Sequence, residues 1–444
     1  MTKQNKMNRK NINNKYRILF FYLLYIKPYS DKIPFFREIA KRLWLLSWKF
    51  SLKVKSIIQS IDLDKVYWIN PKKIEYSLDE NWHYLPKNST CADNDKKNVH
   101  NWDLPGNLIK FEERQSYKGY YQHFIEGKKW SETKFYQSVL CQMESGMFKW
   151  GCSSEEEFIE RCRQLDELYK DIKNNGLKTQ KMLGNGEKIK HRGIREVRDE
   201  ISVAIGRDGN LIHYDGQNRL AIAKILNLNQ VPVKIYRRHK KWMKFRTKLF
   251  HYVKKEMNGR ALESLLHSDF GDIPSVWGNE RFEIIKKNMN MESGNLLDIG
   301  AHWGYFCHKF EEMGYYCTAL EENSENCYFL KKLKRAGNMN FKVIDQPTCE
   351  FKDNLHFDIV LMLNLSHYLL EKKERYDQFV KLLRKMKTSE IYLQINPLLE
   401  MKEGSIHGNC LQEDIVNGVI KNTNLKNVDC IGEIKGSKIF KLYR

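Results

Sequence analysis

Toward the carboxyl end of the chain, short apolar runs alternate with stretches of helical period. Leu296–Leu297 leads into Asp298-Ile299-Gly300, Tyr316–Leu320 ends in Glu321 and Glu322, Phe341–Ile344 ends at Asp345, Phe357–Leu363 ends at Asn364, and Ile391–Ile395 follows. Strands separated by helices predict a largely parallel sheet. The last two runs, VDCIGEI and KIFKLY, are joined by Lys435-Gly436-Ser437 and predict a terminal hairpin that adds an antiparallel strand.

Chemistry enters at the first of these strands. Asp298-Ile299-Gly300-Ala301-His302-Trp303-Gly304 passes from a buried strand through a tight loop into a helix. Glycine at 300 and 304 lets the backbone approach a ligand, and the N–H groups of a helix start favour polar or anionic groups. About twenty residues past Gly300, Glu321 stands at the end of the neighbouring strand, where an acid accepts both hydroxyls of a ribose. The ligand expected there is nucleotide-like.

These residues resemble the class I S-adenosylmethionine-dependent methyltransferases, over roughly Trp277 to Arg444. The resemblance implies an α/β fold with a Rossmann-like seven-stranded sheet ending in an antiparallel hairpin, and S-adenosylmethionine as cofactor. It implies that Asp298, Gly300 and Gly304 form the methionine-side loop, that Glu321 clamps the ribose and that Asp345 lies near the adenine. His302 stands where the family commonly has glycine, which either widens the loop or turns His302 toward the ligand. The acceptor is expected over the end of the fourth strand, with Asn364 and His367 as candidate catalytic residues and Gln394 and Asn396 near them. The tetrapeptide of base amino-methylating enzymes, Asp or Asn followed by two prolines and an aromatic, is absent, since Asn364 precedes Leu365 and Ser366. A dehydrogenase is the competing reading, weakened by the terminal hairpin.

The middle of the chain has a different pattern. Lys65 onward reads as a strand pair around Pro71, and two amphipathic helices follow, the second opening at Ser153 or Ser154 and stopping at Gly176. From Ile201, two short strands flank Asp208-Gly209 as a hairpin, Asp215-Gly216 closes the second, a helix runs from about Gln217 to Leu226, and Val231–Tyr236 returns as a strand. This block is similar to the ParB/sulfiredoxin-like nucleotide-binding fold, an α+β domain. By that likeness Asp215, Gly216, Asn218 and Arg219 would hold a phosphate, and ATP or another nucleotide would be the ligand. Gln217 replaces sulfiredoxin's cysteine, which argues against that activity. The alternative for Arg219 is a plain ion pair with Asp199 or Glu200. Met243 to Asn290 reads as a basic helical connection.

Composition narrows the partners. The 444 residues carry a formal net charge of +21, so anionic partners are expected. Residues 1–58 hold fourteen lysines and arginines against Asp31 and Glu38, with apolar runs at Ile18–Ile26 and Leu43–Trp48 too short to cross a bilayer. A helical segment on an anionic membrane face, a helical pair packed on the protein, and a nucleic-acid arm are the readings of this stretch. Ten cysteines without a C-x-x-C pair favour a reducing cytoplasm and argue against structural zinc.

The organisation expected is a basic helical segment at 1–60, a ParB/sulfiredoxin-like domain at 61–245, a connection at 246–275 and a methyltransferase domain at 276–444. The function expected is methyl transfer from S-adenosylmethionine to a saccharide or a phosphorylated small-molecule or lipid-linked acceptor, in the cytoplasm, with peripheral contact at the inner membrane face. The alternative is a nucleic-acid-binding protein that methylates DNA or RNA.

Overall fold

The computed structural model describes residues 65–78, 101–146, 150–152, 154–179, 182, 200–352, 355–363, 373–394 and 412–444. Asn364, His367, Asn396, Asp199 and the basic segment at 1–60 lie outside them. The chain divides into two compact units, one of residues up to 205 plus 211–238, the other of 206–210 plus 239–444.

The first unit comprises β1 (Val66–Ile69), β2 (Tyr76–Leu78), β3 (Leu108–Lys110), α1 (Gln115–Phe124), α2 (Lys134–Glu144), α3 (Glu155–Asn175), β4 (Ile201–Ile205), β5 (Leu211–Asp215), α4 (Gln217–Ile225) and β6 (Val231–Arg238). Its described residues form a six-stranded mixed sheet in the order β1-β6-β4-β5-β2-β3. The strands on either side of Pro71 are present, yet they do not pair with each other. β1 runs antiparallel to β6, and β2 lies between β5 and β3. Asn70 caps a 3₁₀ turn at Pro71–Lys73 that redirects the chain between them. β4 and β5 form the expected hairpin, with Gly209 at a φ of +97° in its turn. α3 starts at Ser154, whose Oγ accepts from Glu157 N at 3.3 Å, and stops at Gly176.

The second unit opens with α5 (Lys240–Glu256), the short parallel pair β7 (Ala261–Glu263) and β8 (Ser275–Trp277), and α6 (Glu280–Lys287). The strand-helix alternation follows: β9 (Asn295–Ile299), α7 (Tyr305–Glu311), β10 (Tyr316–Glu321), α8 (Ser324–Ala336), β11 (Lys342–Asp345), β12 (Ile359–Leu363), α9 (Lys373–Lys385), β13 (Glu390–Gln394), α10 (Gln412–Lys421), β14 (Asn427–Ile434) and β15 (Ser437–Tyr443). Its described residues form a seven-stranded sheet in the order β11-β10-β9-β12-β13-β15-β14, parallel through β13 and antiparallel at β15 and β14. This is the expected Rossmann-like seven-stranded sheet, terminal hairpin included. The stretch 243–290, expected as helical and basic with a break at Gly271 to Gly278, holds β8 within that break and β7 before it.

Both faces of this sheet are covered, so its central strands are continuously apolar. Leu297, Ile299, Val360, Met362, Ile391 and Leu393 point to one face, against Phe379, Leu382 and Leu383 of α9. Leu296, Leu361 and Tyr392 point to the other, against Phe282 and Ile285 of α6 and Phe306 and Phe310 of α7. Each fully buried Leu, Ile or Phe side chain contributes about 1.5–3 kcal/mol. At the outer edge, β14 carries a bulge at Ile431, since Cys430 pairs with Phe440 while Gly432 pairs with Ile439.

Candidate functional site

The site follows from the period of a strand. Residues two apart share a face, so Asp298 lies on the side of Leu296, Glu321 on that of Ala319, and Gln394 on that of Tyr392. Those are the residues that pack toward α6 and α7. Three polar side chains thus end adjacent parts of the sheet at its carboxyl edge, on one face. In open α/β sheets this edge is where ligands bind, at the point where strand order reverses.

Loop 300–304 closes over that edge. Gly300 has a φ of +73° and Gly304 of +78°, and His302 adopts the same left-handed region at +50°. His302 is thus one of three residues of this short loop with a positive φ. A Cβ on Gly304 would come within 3.3 Å of Leu330 Cδ1 and Phe341 Cζ, in a backbone conformation costly for any L side chain. The loop amides are consumed internally. Gly300 N and Ala301 N donate to Leu320 O, Gly304 N donates to Ala301 O at 2.7 Å, and His302 N donates to Glu321 Oε2 at 2.7 Å. The amides of Gly300, Ala301, His302 and Gly304 are therefore engaged within the protein, while Asp298 and Glu321 bring two buried carboxyls to this edge of the sheet.

Glu321 is 6% exposed. Its Oε1 accepts from Asn323 N at 2.9 Å, and each oxygen keeps further acceptor capacity. Burial pushes its pKa up against these bonds. Asp298 is 3% exposed, and burial, with the charges of Glu263 and Glu321 beside it, pushes its carboxyl up to about 8 despite the opposing pull of Arg281. Glu263, on β7, is also raised by burial, opposed by Arg281. Arg281 of α6, 2% exposed, ion-pairs with Glu263, donates through Nη1 to Gln394 Oε1 at 2.8 Å, and lies 5.0 Å from the Trp277 ring. Gln394, expected toward the acceptor, is instead fully buried in this bond. Arg281 Nε and Gln394 Nε2 are buried donors without a partner among the described residues. Glu263 and Arg281 were not among the residues expected from the sequence.

His302 lies flat on Trp303, ring centroids 4.5 Å apart, with Nδ1 4.0 Å from Glu263 Oε2. Burial drops its pKa to about 3, so the imidazole is neutral and this contact is not an ion pair. Asp345 pairs across the sheet with Glu321, but its exposed carboxylate is held by Lys331 Nζ at 2.8 Å, which lowers its pKa. Among the described residues no three His, Cys, Asp or Glu side chains are placed to hold a metal ion.

In the first unit, Asp215 Oδ1 accepts from Gly216 N at 2.8 Å, and Gly216, at a φ of +83°, opens α4. A Cβ there would meet Ile201 Cα at 2.9 Å, so only glycine fits. Asn218 Oδ1 accepts from the buried Tyr120 hydroxyl at 2.8 Å, and Gln217 Oε1 accepts from Arg114 Nη2 at 3.1 Å. Arg219 donates through Nη2 to Lys178 O at 2.6 Å, and its Nη1 lies 3.5 Å from Glu200 Oε2. The structure thus holds the guanidinium by the ion pair named as the alternative, together with a main-chain carbonyl.

No protein-family model matches the chain, and no curated protein sequence matches it. Among solved structures, monomeric WbdD is similar at 15% identity over 41% of this chain and 46% of that one, with a TM-score of 0.34. A structure described as the bifunctional kinase-methyltransferase WbdD gives 14% identity over 41% and 43%, TM-score 0.32. The N-methyltransferase NodS from Bradyrhizobium japonicum WM9 gives 12% over 37% and 92%, TM-score 0.30. The chain spans under half the length of the WbdD chains it matches. The site's own geometry is a cluster of acids around one guanidinium at the carboxyl edge of a seven-stranded Rossmann-like sheet.

Proposed function

We propose that the second unit binds S-adenosylmethionine at the carboxyl ends of β9 and β10 and transfers its methyl group to an acceptor over β12. The observation that carries this is three neighbouring acids with one buried guanidinium among them: Asp298 and Glu321 are buried at the ends of β9 and β10, and Glu263, beside Asp298, ion-pairs with Arg281. Desolvated carboxylates in such excess gain most from a cationic ligand. S-adenosylmethionine supplies a sulfonium and an ammonium, together with a ribose diol that suits an anchored carboxylate and acceptor oxygens that suit the unpaired N–H groups of Arg281 and Gln394. The chain's own part is alignment: Glu321 ties the loop through His302 N, and Arg281 fixes Gln394 and Glu263 behind it.

Glu321→Ala removes both the diol acceptor and the anchor of His302 N, and is expected to weaken S-adenosylmethionine binding at least tenfold in titration calorimetry. Gly300→Asp is expected to do the same. Unchanged affinity in both variants would end the proposal. For the acceptor, a saccharide or phosphorylated small molecule is favoured over an amino group of a DNA base, because Asn364-Leu365-Ser366 follows β12 in place of the proline-containing tetrapeptide. Labelled methyl donor, followed into glycan, metabolite and nucleic-acid fractions, distinguishes these classes.

For the first unit we propose phosphate or nucleotide binding at the start of α4, which requires Arg219 to exchange Glu200 for the ligand. A thermal-shift panel of nucleotides on wild type and Arg219→Ala tests it. The wild type alone is expected to be stabilised, and an identical response of the two proteins reduces α4 to a scaffold.

A further inference from the structure

Helix α5 separates two chemistries along its length. Trp242, Phe245, Leu249 and Val253 are buried, at the spacing of one helical face. Lys240, Lys241, Lys244, Lys248, His251, Lys254 and Lys255 are exposed and fall within an arc on the opposite face. Two of these lysines have acidic neighbours, Lys248 with Glu325 at 3.0 Å and Lys255 with Glu256 at 2.9 Å. Lys240, Lys241, Lys244 and Lys254 form no ion pair among the described residues, and Glu256 is the helix's lone acid. Arg246, the helix's one guanidinium, is turned away to Asp269 and Asp272. Over seventeen residues the stripe is about 25 Å long.

We propose that this face of α5 docks on an anionic lipid surface. Charge complementarity requires a polyanion, and the composition of the face selects among polyanions. It presents lysine ammonium groups as point charges, with no exposed guanidinium fork and no exposed Phe, Tyr or Trp on the arc, the groups that best recognise phosphodiester geometry and stack on bases; His251 is its one ring. A fluid sheet of anionic headgroups asks only for charge density, and each lysine near it adds to the attraction. The apolar face of α5 is taken up in its own core, so the contact is electrostatic rather than inserted. The sequence of residues 1–58 adds fourteen basic residues with interleaved aromatic runs, a second signal of the kind stable peripheral attachment needs.

The test is co-sedimentation of the full chain with phosphatidylcholine vesicles, with and without 30% phosphatidylglycerol, at about 50 to 500 mM salt, a range over which the screening length falls several-fold. The wild type is expected to bind the anionic vesicles alone and to be released by salt. Lys240→Glu, Lys241→Glu, Lys244→Glu and Lys254→Glu together are expected to weaken that binding at least tenfold. The same four positions changed to Gln, with an intact melting transition as the folding check, are expected to give an intermediate loss. Equal binding of wild type and both variants, no preference for the anionic vesicles, or tighter binding to DNA or RNA at the same salt would overturn the assignment. Binding of S-adenosylmethionine is expected to be unchanged in these variants, so the result stands apart from the fate of the methyltransferase reading.

Discussion

Asp298→Asn is expected to make the protein more stable and the cofactor site weaker. In the unfolded chain this carboxyl ionises near 3.8, whereas in the fold it keeps its proton up to about 8. Between those values the folded state binds the additional proton, so stability falls as pH rises. Asparagine removes that dependence and leaves a neutral group of the same shape. At pH 7.5 the variant is expected to gain about 2–4 kcal/mol, the pKa difference discounted for the amide's own desolvation. Thermal melts from pH 5 to 8 should show the wild-type midpoint sliding downward and the variant's holding. A cationic donor prefers the ionised carboxyl, so wild-type affinity should improve roughly tenfold per pH unit up to about 8 and then level. The variant should bind weakly with no such slope. Parallel melting curves in the two proteins would rule out the buried acid as the source.

Arg281→Leu is expected to be the most damaging single change in the second unit. It strands Glu263 as a buried acid without a counter-charge and removes the donor to Gln394. Breaking a buried pair from one side costs about 3–5 kcal/mol. Adding Glu263→Gln should restore much of the loss, because an amide has no charge to desolvate. Urea unfolding of the two single variants and the double variant measures this coupling. Simple addition of the single losses would show that Arg281 contributes by packing on Trp277 and Phe306 instead.

The alternation of apolar runs carried most of the second unit, since buried parallel strands and amphipathic helices each leave a strong period. Asp298 and Glu321 were legible for the same reason: each ends such a run. Glu263 was not, because a three-residue strand leaves no period and its neighbours look helical and basic. Arg281 sits in ERFEIIKK, where charge reads as a solvated face, and only the packed structure shows that it points inward. The departure at His302 could be seen in the sequence but not resolved. A left-handed φ of +50° is available to histidine at moderate cost, and only the folded chain shows that the ring there is buried and neutral. In the first unit, the position of Arg219 in the first turn of α4 was legible from Asp215-Gly216, whereas its partners come from residues 178 and 200 in other parts of the chain. The strands around Pro71 failed as a pair because local sequence reports extended backbone without naming the neighbour.

The surplus residue at Ile431 governs how the second unit ends in solution. With one side chain too many on the outermost strand, the outward amide and carbonyl groups lose the even spacing that an incoming chain would have to match. Growth by addition of an eighth strand from another copy is thereby discouraged, and solubility at this margin rests on backbone irregularity as much as on charge.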